Sequence, residues 1–231
     1  WLYPSRCVAC GRFNTQPLCA SCTALVELIC PPACLRCGVP LREFGECRQC
    51  LGRAFAFDGV VCAALYRSAV RRAILHLKFR RWRRAASPLA DLLWQALCVS
   101  ECAAWRQADA IVPVPIHPVR QAMRGFNQSA LLADRLSQRS GIPVQAGWLR
   151  RRFYRRPQVG LNQAERMQNV HDAFEVIQPN RVRGRVVWLV DDVFTTGSTL
   201  DACARVLKQA GASRVIALTI ARDLREDDAT L

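Results

Sequence analysis

No apolar run in the 231 residues reaches the ~20 positions that a membrane-spanning helix needs, so no membrane insertion is expected. A charged amino-terminal region with an apolar core behind it is also missing, which argues against a secretory leader and for a cytoplasmic protein. The chain opens on Trp1 rather than Met, so residues upstream of it are expected. Acidic side chains are scarce: 18 Asp and Glu face 33 Lys and Arg, a net charge of +15, and nearly all the bases are arginine. The shortage is sharpest in residues 111–170, with ten bases against two acids, so this stretch should either draw polyanions or form a solvated basic face. A hydrophobic content of 51% excludes disorder, and the length suits one main domain with a small module.

Cysteine is plentiful and uneven. Nine of thirteen fall in the first 50 residues, eight of them in C-x-x-C pairs: Cys7/Cys10, Cys19/Cys22, Cys34/Cys37 and Cys47/Cys50. Each pair can face two thiolates toward one metal, and two pairs complete a tetrahedral zinc site with no open position for water, hence a structural one. Disulfides are disfavoured without any mark of secretion, an iron–sulfur cluster is the other thiolate reading, and a redox role lacks its βαβ context. One or two metal sites, grouped sequentially or crossed, fit the spacing equally. Cys30, Cys62, Cys98, Cys102 and Cys203 have no ligand spacing and are expected as packed thiols. The boundary is placed near Phe55–Asp58, giving a zinc-binding module over 1–57 and a second domain over 58–231.

The second domain is organised around Val186–Thr199. Val186–Val190 reads as a buried parallel strand, with Asp191 and Asp192 at its end. Thr195, Thr196, Gly197, Ser198 and Thr199 then form a hydroxyl-rich turn before a helix that ends at Gly211, and Val215–Ile220 reads as another strand. Backbone N–H groups at such a turn suit a phosphate, and the acidic pair suits sugar hydroxyls, directly or around a hydrated Mg²⁺. Ligands of open α/β sheets bind at this end of the strands.

Earlier in the domain, Val60–Tyr66 reads as a strand and Val70, Ile74 and Leu77 recur at helical spacing. A helix starting at Ser87-Pro88 is expected to reach about Ala104. Ala110–Pro115 and Val144–Leu149 read as further strands, with a helix from Gln128 to about Ser140 between them. Arg80, Arg81, Trp82, Arg83 and Arg84 form one basic cluster with an aromatic. Arg150, Arg151, Arg152, Phe153, Tyr154, Arg155 and Arg156 form another, suited to a loop that closes on an anion. Both can stack on bases and hold phosphates of single-stranded DNA; in the first, Phe79 and Trp82 can equally anchor a loop to the core. His117, Arg120 and Arg124 follow a strand at a spacing that can line an anion site. Asn162 with Glu165 reads as a helix cap, and the acidic tail from Asp223 to Asp228 as solvated.

The run V-V-W-L-V-D-D-V-F-T-T-G-S-T resembles the 5-phosphoribosyl-1-pyrophosphate (PRPP) signature of type I phosphoribosyltransferases. Some members carry a third Asp where this chain has Thr195, a departure that argues against purine salvage. With V-P-V-P-I-H-P-V-R-Q-A-M-R-G-F-N-Q, R-R-P-Q-V-G-L-N-Q-A-E-R-M-Q-N-V and the cysteine-rich front end, almost the whole chain resembles the ComF/GntX family, which is associated with natural competence. That resemblance implies a phosphoribosyltransferase-like, mainly parallel α/β sheet behind a zinc ribbon, with PRPP and Mg²⁺ as ligands and DNA-uptake proteins as partners. It implies PRPP held by Asp191, Asp192 and residues 195–199, and pyrophosphate held by His117, Arg120 and Arg124. Val114–His117 takes the pyrophosphate-loop position and Phe153–Arg166 the catalytic loop; Asp191, Asp192, Arg124 and Arg156 form the catalytic group. Two readings follow, an enzyme that transfers the phosphoribosyl group and a sensing or DNA-binding scaffold.

Overall fold

A computed structural model describes residues 5–43, 47–152 and 173–224. Its strands are β1 (Gly59–Leu65), β2 (Ala110–Pro113), β3 (Leu149–Arg151), β4 (Phe174–Val176), β5 (Val186–Phe194) and β6 (Arg214–Arg222). Four of them form an all-parallel sheet in the order β1-β6-β5-β2, and β3 and β4 pair as a separate antiparallel ribbon. Helices α1 (Ala20–Thr23), α2 (Ser68–Phe79), α3 (Ala86–Val99), α4 (Pro118–Arg124), α5 (Gln128–Ser140), α6 (Pro179–Val182) and α7 (Ser198–Gln209) join them.

The central strands read as unbroken apolar runs because the sheet is covered on both faces. Trp188, Val190, Ile216 and Leu218 point into a core with Ile74 and Leu77 of α2, Leu89 and Leu93 of α3, and Leu132 and Leu136 of α5. Their neighbours Val187, Leu189, Val215 and Ala217 point into the other core, with Leu200, Cys203 and Leu207 of α7 and Phe174 of β4. The two-residue alternation of a strand assigns each residue to its face.

The cysteine-rich segment lies along the outer edge of β1. The Ile29 N–H donates to the Ala63 carbonyl at 3.0 Å, Leu65 N–H to Glu27 at 2.8 Å and Val60 N–H to Leu35 at 2.9 Å, so the edge's polar groups are paired. Cys7, Val8 and Cys22 join the α2–α3 core, whereas Cys34, Cys37, Cys47 and Cys50 join the other one. The segment therefore wraps both sides of that edge.

Several sequence expectations are corrected. Strand β5 runs on to Phe194, because Asp191, Val193 and Phe194 stay in register with Thr219, Ala221 and Arg222 of β6, so the acidic pair lies within the strand. Helix α3 starts at Ala86 and stops at Val99; Pro88 falls in its first turn, where a missing N–H breaks no bond. A 3₁₀ turn, Ala103–Arg106, occupies the expected helix end. Val144 makes only a single bridge to Ile111, and the strand that follows begins at Leu149. Cys62 and Cys203 are buried as expected, but Cys30 and Cys98 are exposed and Cys102 is half-buried. Cys98 falls one position off the stripe Leu89, Leu93, Leu97 that α3 buries, and Cys30 alternates outward from buried Ile29. The Asn162 cap, the loop from Phe153 to Arg166 and the tail beyond Leu224 lie outside the described residues.

Candidate functional site

The carboxyl ends of β2 and β5 carry the chemistry. Asp192 is 4% exposed, and its Oδ1 takes the Lys78 ammonium of α2 at 2.8 Å. Its other oxygen, Oδ2, is buried without a partner among the described residues. Asp191 is half-buried; its Oδ1 accepts from the Ser129 hydroxyl of α5 and from the Asp192 N–H, each at 2.9 Å. Burial, then repulsion from Asp192, pushes the Asp191 carboxyl up to about 7. Two hard carboxylates, one with an unsatisfied oxygen, fit sugar hydroxyls or the water shell of Mg²⁺.

Beyond Phe194 the chain turns through Thr195–Gly197 into α7. Gly197 sits at φ +79°, and a Cβ there would lie 2.6 Å from the Phe194 ring and 3.0 Å from Phe55, so only glycine lets this turn close. Phe55 and Phe57 stack at 4.7 Å and meet Phe194 edge-on at 6.1 and 6.3 Å, which props the turn from below. The Thr196 and Ser198 hydroxyls are 2.8 Å apart, and the Ser198 N–H donates to the Thr196 hydroxyl. Arg222 holds the Thr195 carbonyl at 2.9 Å from behind. Thr195 and Ser198 are exposed at the acidic pair's end of the sheet, where α7 opens on Gly197, which has no side chain to cap the N–H groups that follow Ser198.

His117, Arg120 and Arg124 are gathered by a helix that sequence reasoning did not anticipate. His117 caps α4, its Nδ1 accepting from the Val119 N–H at 3.3 Å, with Pro118 at the first helical position. The pattern His-Pro with Gly125 seven residues on was the available signal. Arg124 donates to Gln128 at 2.7 Å and lies 5.3 Å from the Phe79 ring centre. Burial, against the pull of Asp192, lowers its pKa, with Arg120 adding repulsion. Arg151 is lowered by burial and by Arg120, while feeling Asp191. Arg124 and Arg151 thus bring positive charge into the field of the acidic pair, and Arg120 repels both.

The other basic candidates divide. Arg81 and Arg83 donate to the carbonyls of Met123 and Gly125 at 3.0 and 3.3 Å, and Arg84 lies over Trp82. Trp82 packs tilted against His76, ring centres 4.5 Å apart, and its ring edge would lie 3.5 Å from a Cβ at Gly11, so it anchors rather than presents a face. Arg80 is exposed, and Phe79 is 67% exposed. Arg150 and Arg152 both bind Glu175, at 2.8 and 3.2 Å. Tyr154, Arg155 and Arg156 lie outside the described residues.

The eight paired cysteines form two clusters taken sequentially: Cys7, Cys10, Cys19 and Cys22, then Cys34, Cys37, Cys47 and Cys50. Within each, the sulfurs lie within 4.8 Å of one another, which suits one tetrahedral ion. Burial pushes the Cys7 thiol up, but N–H groups of Cys10, Cys19 and Ala9 outweigh it and bring it down to about 6. A hydrogen bond with Cys37 brings Cys34 down to about 5, against burial. Both shifts favour the thiolate form that a metal ligand must take.

A parallel sheet with an acidic pair at its carboxyl end and two four-cysteine sites along its edge defines a phosphoribosyltransferase-type protein with a double zinc ribbon. Residues 102–229 match the Phosphoribosyl transferase domain family and residues 1–51 the Double zinc ribbon domain. The chain is 32% identical over 225 residues to Competence protein F of Haemophilus influenzae, covering 94% of this chain and 96% of that one. It is 32% identical over 219 residues to DNA utilization protein YhgH of Escherichia coli K12 (94% of each chain), and 25% over 215 to Competence protein ComFC of Bacillus subtilis (90% and 85%). The chain belongs to the ComF/GntX family.

Two measurements test the site. Elemental analysis should find two zinc ions per chain, and Cys10→Ser, at the exposed corner of the first cluster, should leave one. The Asp191 proton gives a pH test with a fixed sign. Its folded pKa lies above the unfolded value, so the folded state binds more protons and Asp191 costs stability as pH rises from about 4 through 7. Asp191→Asn should therefore match the parent near pH 4 and exceed it by about 1–3 kcal/mol at pH 8 in denaturant unfolding. Equal stability at pH 8 would place Asp191 in a solvated, unstrained position.

Proposed function

We propose that this chain binds PRPP with Mg²⁺ and acts as a phosphoribosyltransferase in DNA uptake or utilisation. The observation that carries the reading is the half-buried Asp191 beside buried Asp192, whose Oδ2 has no partner among the described residues, next to a glycine-closed hydroxyl turn. Its setting is a family whose relatives bear competence and DNA-utilisation names. The 2- and 3-hydroxyls of the ribose would donate to Asp191 and Asp192. Its 5-phosphate would sit in the turn Thr195–Thr199, taking the Ser198 and Thr195 hydroxyls and the opening N–H groups of α7. Mg²⁺ would neutralise part of the pyrophosphate charge. Arg120 and Arg124, with His117 holding α4 in place, would stabilise the departing pyrophosphate as positive charge develops at C1. Thr195 occupies the position where purine-directed members place an Asp, so the acceptor is expected outside the purine bases.

Asp191→Asn combined with Asp192→Asn should abolish calorimetric binding of PRPP with Mg²⁺, a loss of several kcal/mol, while the protein stays folded. Screening candidate acceptors for PRPP-dependent pyrophosphate release then tests transfer itself. An unaltered affinity in the double variant would remove the ribose assignment.

A second reading, single-stranded DNA binding, is favoured by one observation: Phe79 presents an exposed ring beside exposed Arg80 and half-buried Arg124. Phe79→Ala should weaken binding of a labelled oligonucleotide by about 1–3 kcal/mol at fixed salt through lost stacking. Attraction by charge alone predicts a steep salt dependence and no effect of Phe79→Ala.

A further inference from the structure

The segment from His76 to Arg83, at the end of α2 and just beyond it, touches three parts of the molecule that the sequence keeps apart. His76 Nδ1 lies 2.9 Å from the carbonyl of Val8, inside the first cysteine loop. Trp82 packs tilted against His76, ring centres 4.5 Å apart, and its ring edge lies over Gly11 in the same loop. Two residues along the same helix, Lys78 reaches Asp192 at 2.8 Å, with the ammonium side chain 19% and the carboxylate side chain 6% exposed. Arg81 and Arg83 hold the carbonyls of Met123 and Gly125 at the end of α4, the helix of Arg120 and Arg124.

The chain has only two lysines, and the other one, Lys208, binds Asp58. A compact ammonium suits a buried single carboxylate oxygen better than the wide guanidinium fork that dominates elsewhere. Removing either partner of such a buried pair leaves an uncompensated charge. The first cysteine loop, in turn, has little apolar material of its own, so a metal held by Cys7, Cys10, Cys19 and Cys22 would shape it. Its carbonyl can hold His76 only while that loop keeps its shape.

We propose that residues 76–83 couple the first metal site to the acidic pair: Lys78 is a positioning residue for Asp192, and the metal-shaped loop fixes Lys78 through His76 and Trp82. The coupling to ligand rests on the PRPP reading. The coupling to Asp192 does not.

The test is a double-mutant cycle on PRPP·Mg²⁺ affinity, read by calorimetry. Lys78→Met should weaken binding by about tenfold or more, and Lys78→Arg should recover part of it. His76→Phe keeps a ring on Trp82, loses the bond to Val8 and leaves every thiol in place. It should weaken binding severalfold in the parent background and have no further effect in Lys78→Met, because both act through one contact. Independent, additive losses, or no loss from His76→Phe, would overturn the coupling. A ligand-free arm separates this inference from the ligand assignment. His76→Phe and Cys10→Ser should each speed amide hydrogen exchange at residues 76–83 and 191–196 while leaving 214–220 slow. Unchanged exchange at 191–196 in both variants would sink the coupling whether or not PRPP binds; faster exchange there without PRPP binding in the parent would sustain the coupling and sink the ligand reading alone.

Discussion

A carboxylate buried at the carboxyl end of a central strand is the constraint around which this molecule is arranged. Asp192 is 4% exposed, and an ionised carboxylate in that position is tolerable only with a counter-charge and hydrogen bonds. Lys78 supplies the charge from α2 and Ser129 steadies the neighbouring Asp191 from α5. Helix α2 therefore ends, and α5 begins, at the carboxyl end of the sheet. An oxygen without a partner among the described residues and a carboxyl that burial and Asp192 hold up to about 7 are features that cluster at binding sites.

The double ribbon solves a different problem. An open parallel sheet ends in an edge strand with unpaired polar groups, and here residues 27–35 pair with β1 while two cysteine clusters brace the segment on either face. Clusters that lie within both hydrophobic cores serve the sheet as well as themselves. A metal held in either cluster would therefore brace the edge of the sheet as well as its own loop.

Arginine is abundant, yet position decides what each one does. Arg150 and Arg152 are engaged by Glu175, Arg81 and Arg83 by backbone carbonyls, and Arg222 by the carbonyl of Thr195 behind the glycine-closed turn. Arg124 and Arg151 stand apart, because burial and nearby carboxylates place them in the field of the site. A basic composition announces attraction to anions, but the site's electrostatics depend on a few of these side chains.

The local signals were written in the chain and could be read there. V-V-W-L-V-D-D marks a doubly buried strand with carboxylates, T-T-G-S-T a hydroxyl-rich turn into a helix, and the C-x-x-C pairs a metal framework, because each depends on residues within a few positions of one another. Strand and helix periodicity likewise placed β1, α2, α5, α7 and β6 to within a few residues. The sequence could not say that the cysteine pairs group sequentially, since spacing allows a crossed set; the fold of the 1–50 segment along β1 decides it. Nor could it show that α4 gathers His117, Arg120 and Arg124, that Trp82 is spent on the first cysteine loop, or that strand β5 carries both aspartates inside its ladder. The pairing of Lys78 with Asp192 was equally silent: neither residue has a local reason to meet the other. Such contacts form only when the parallel sheet and the helices over it bring distant segments together, and burial then makes the pairing obligatory.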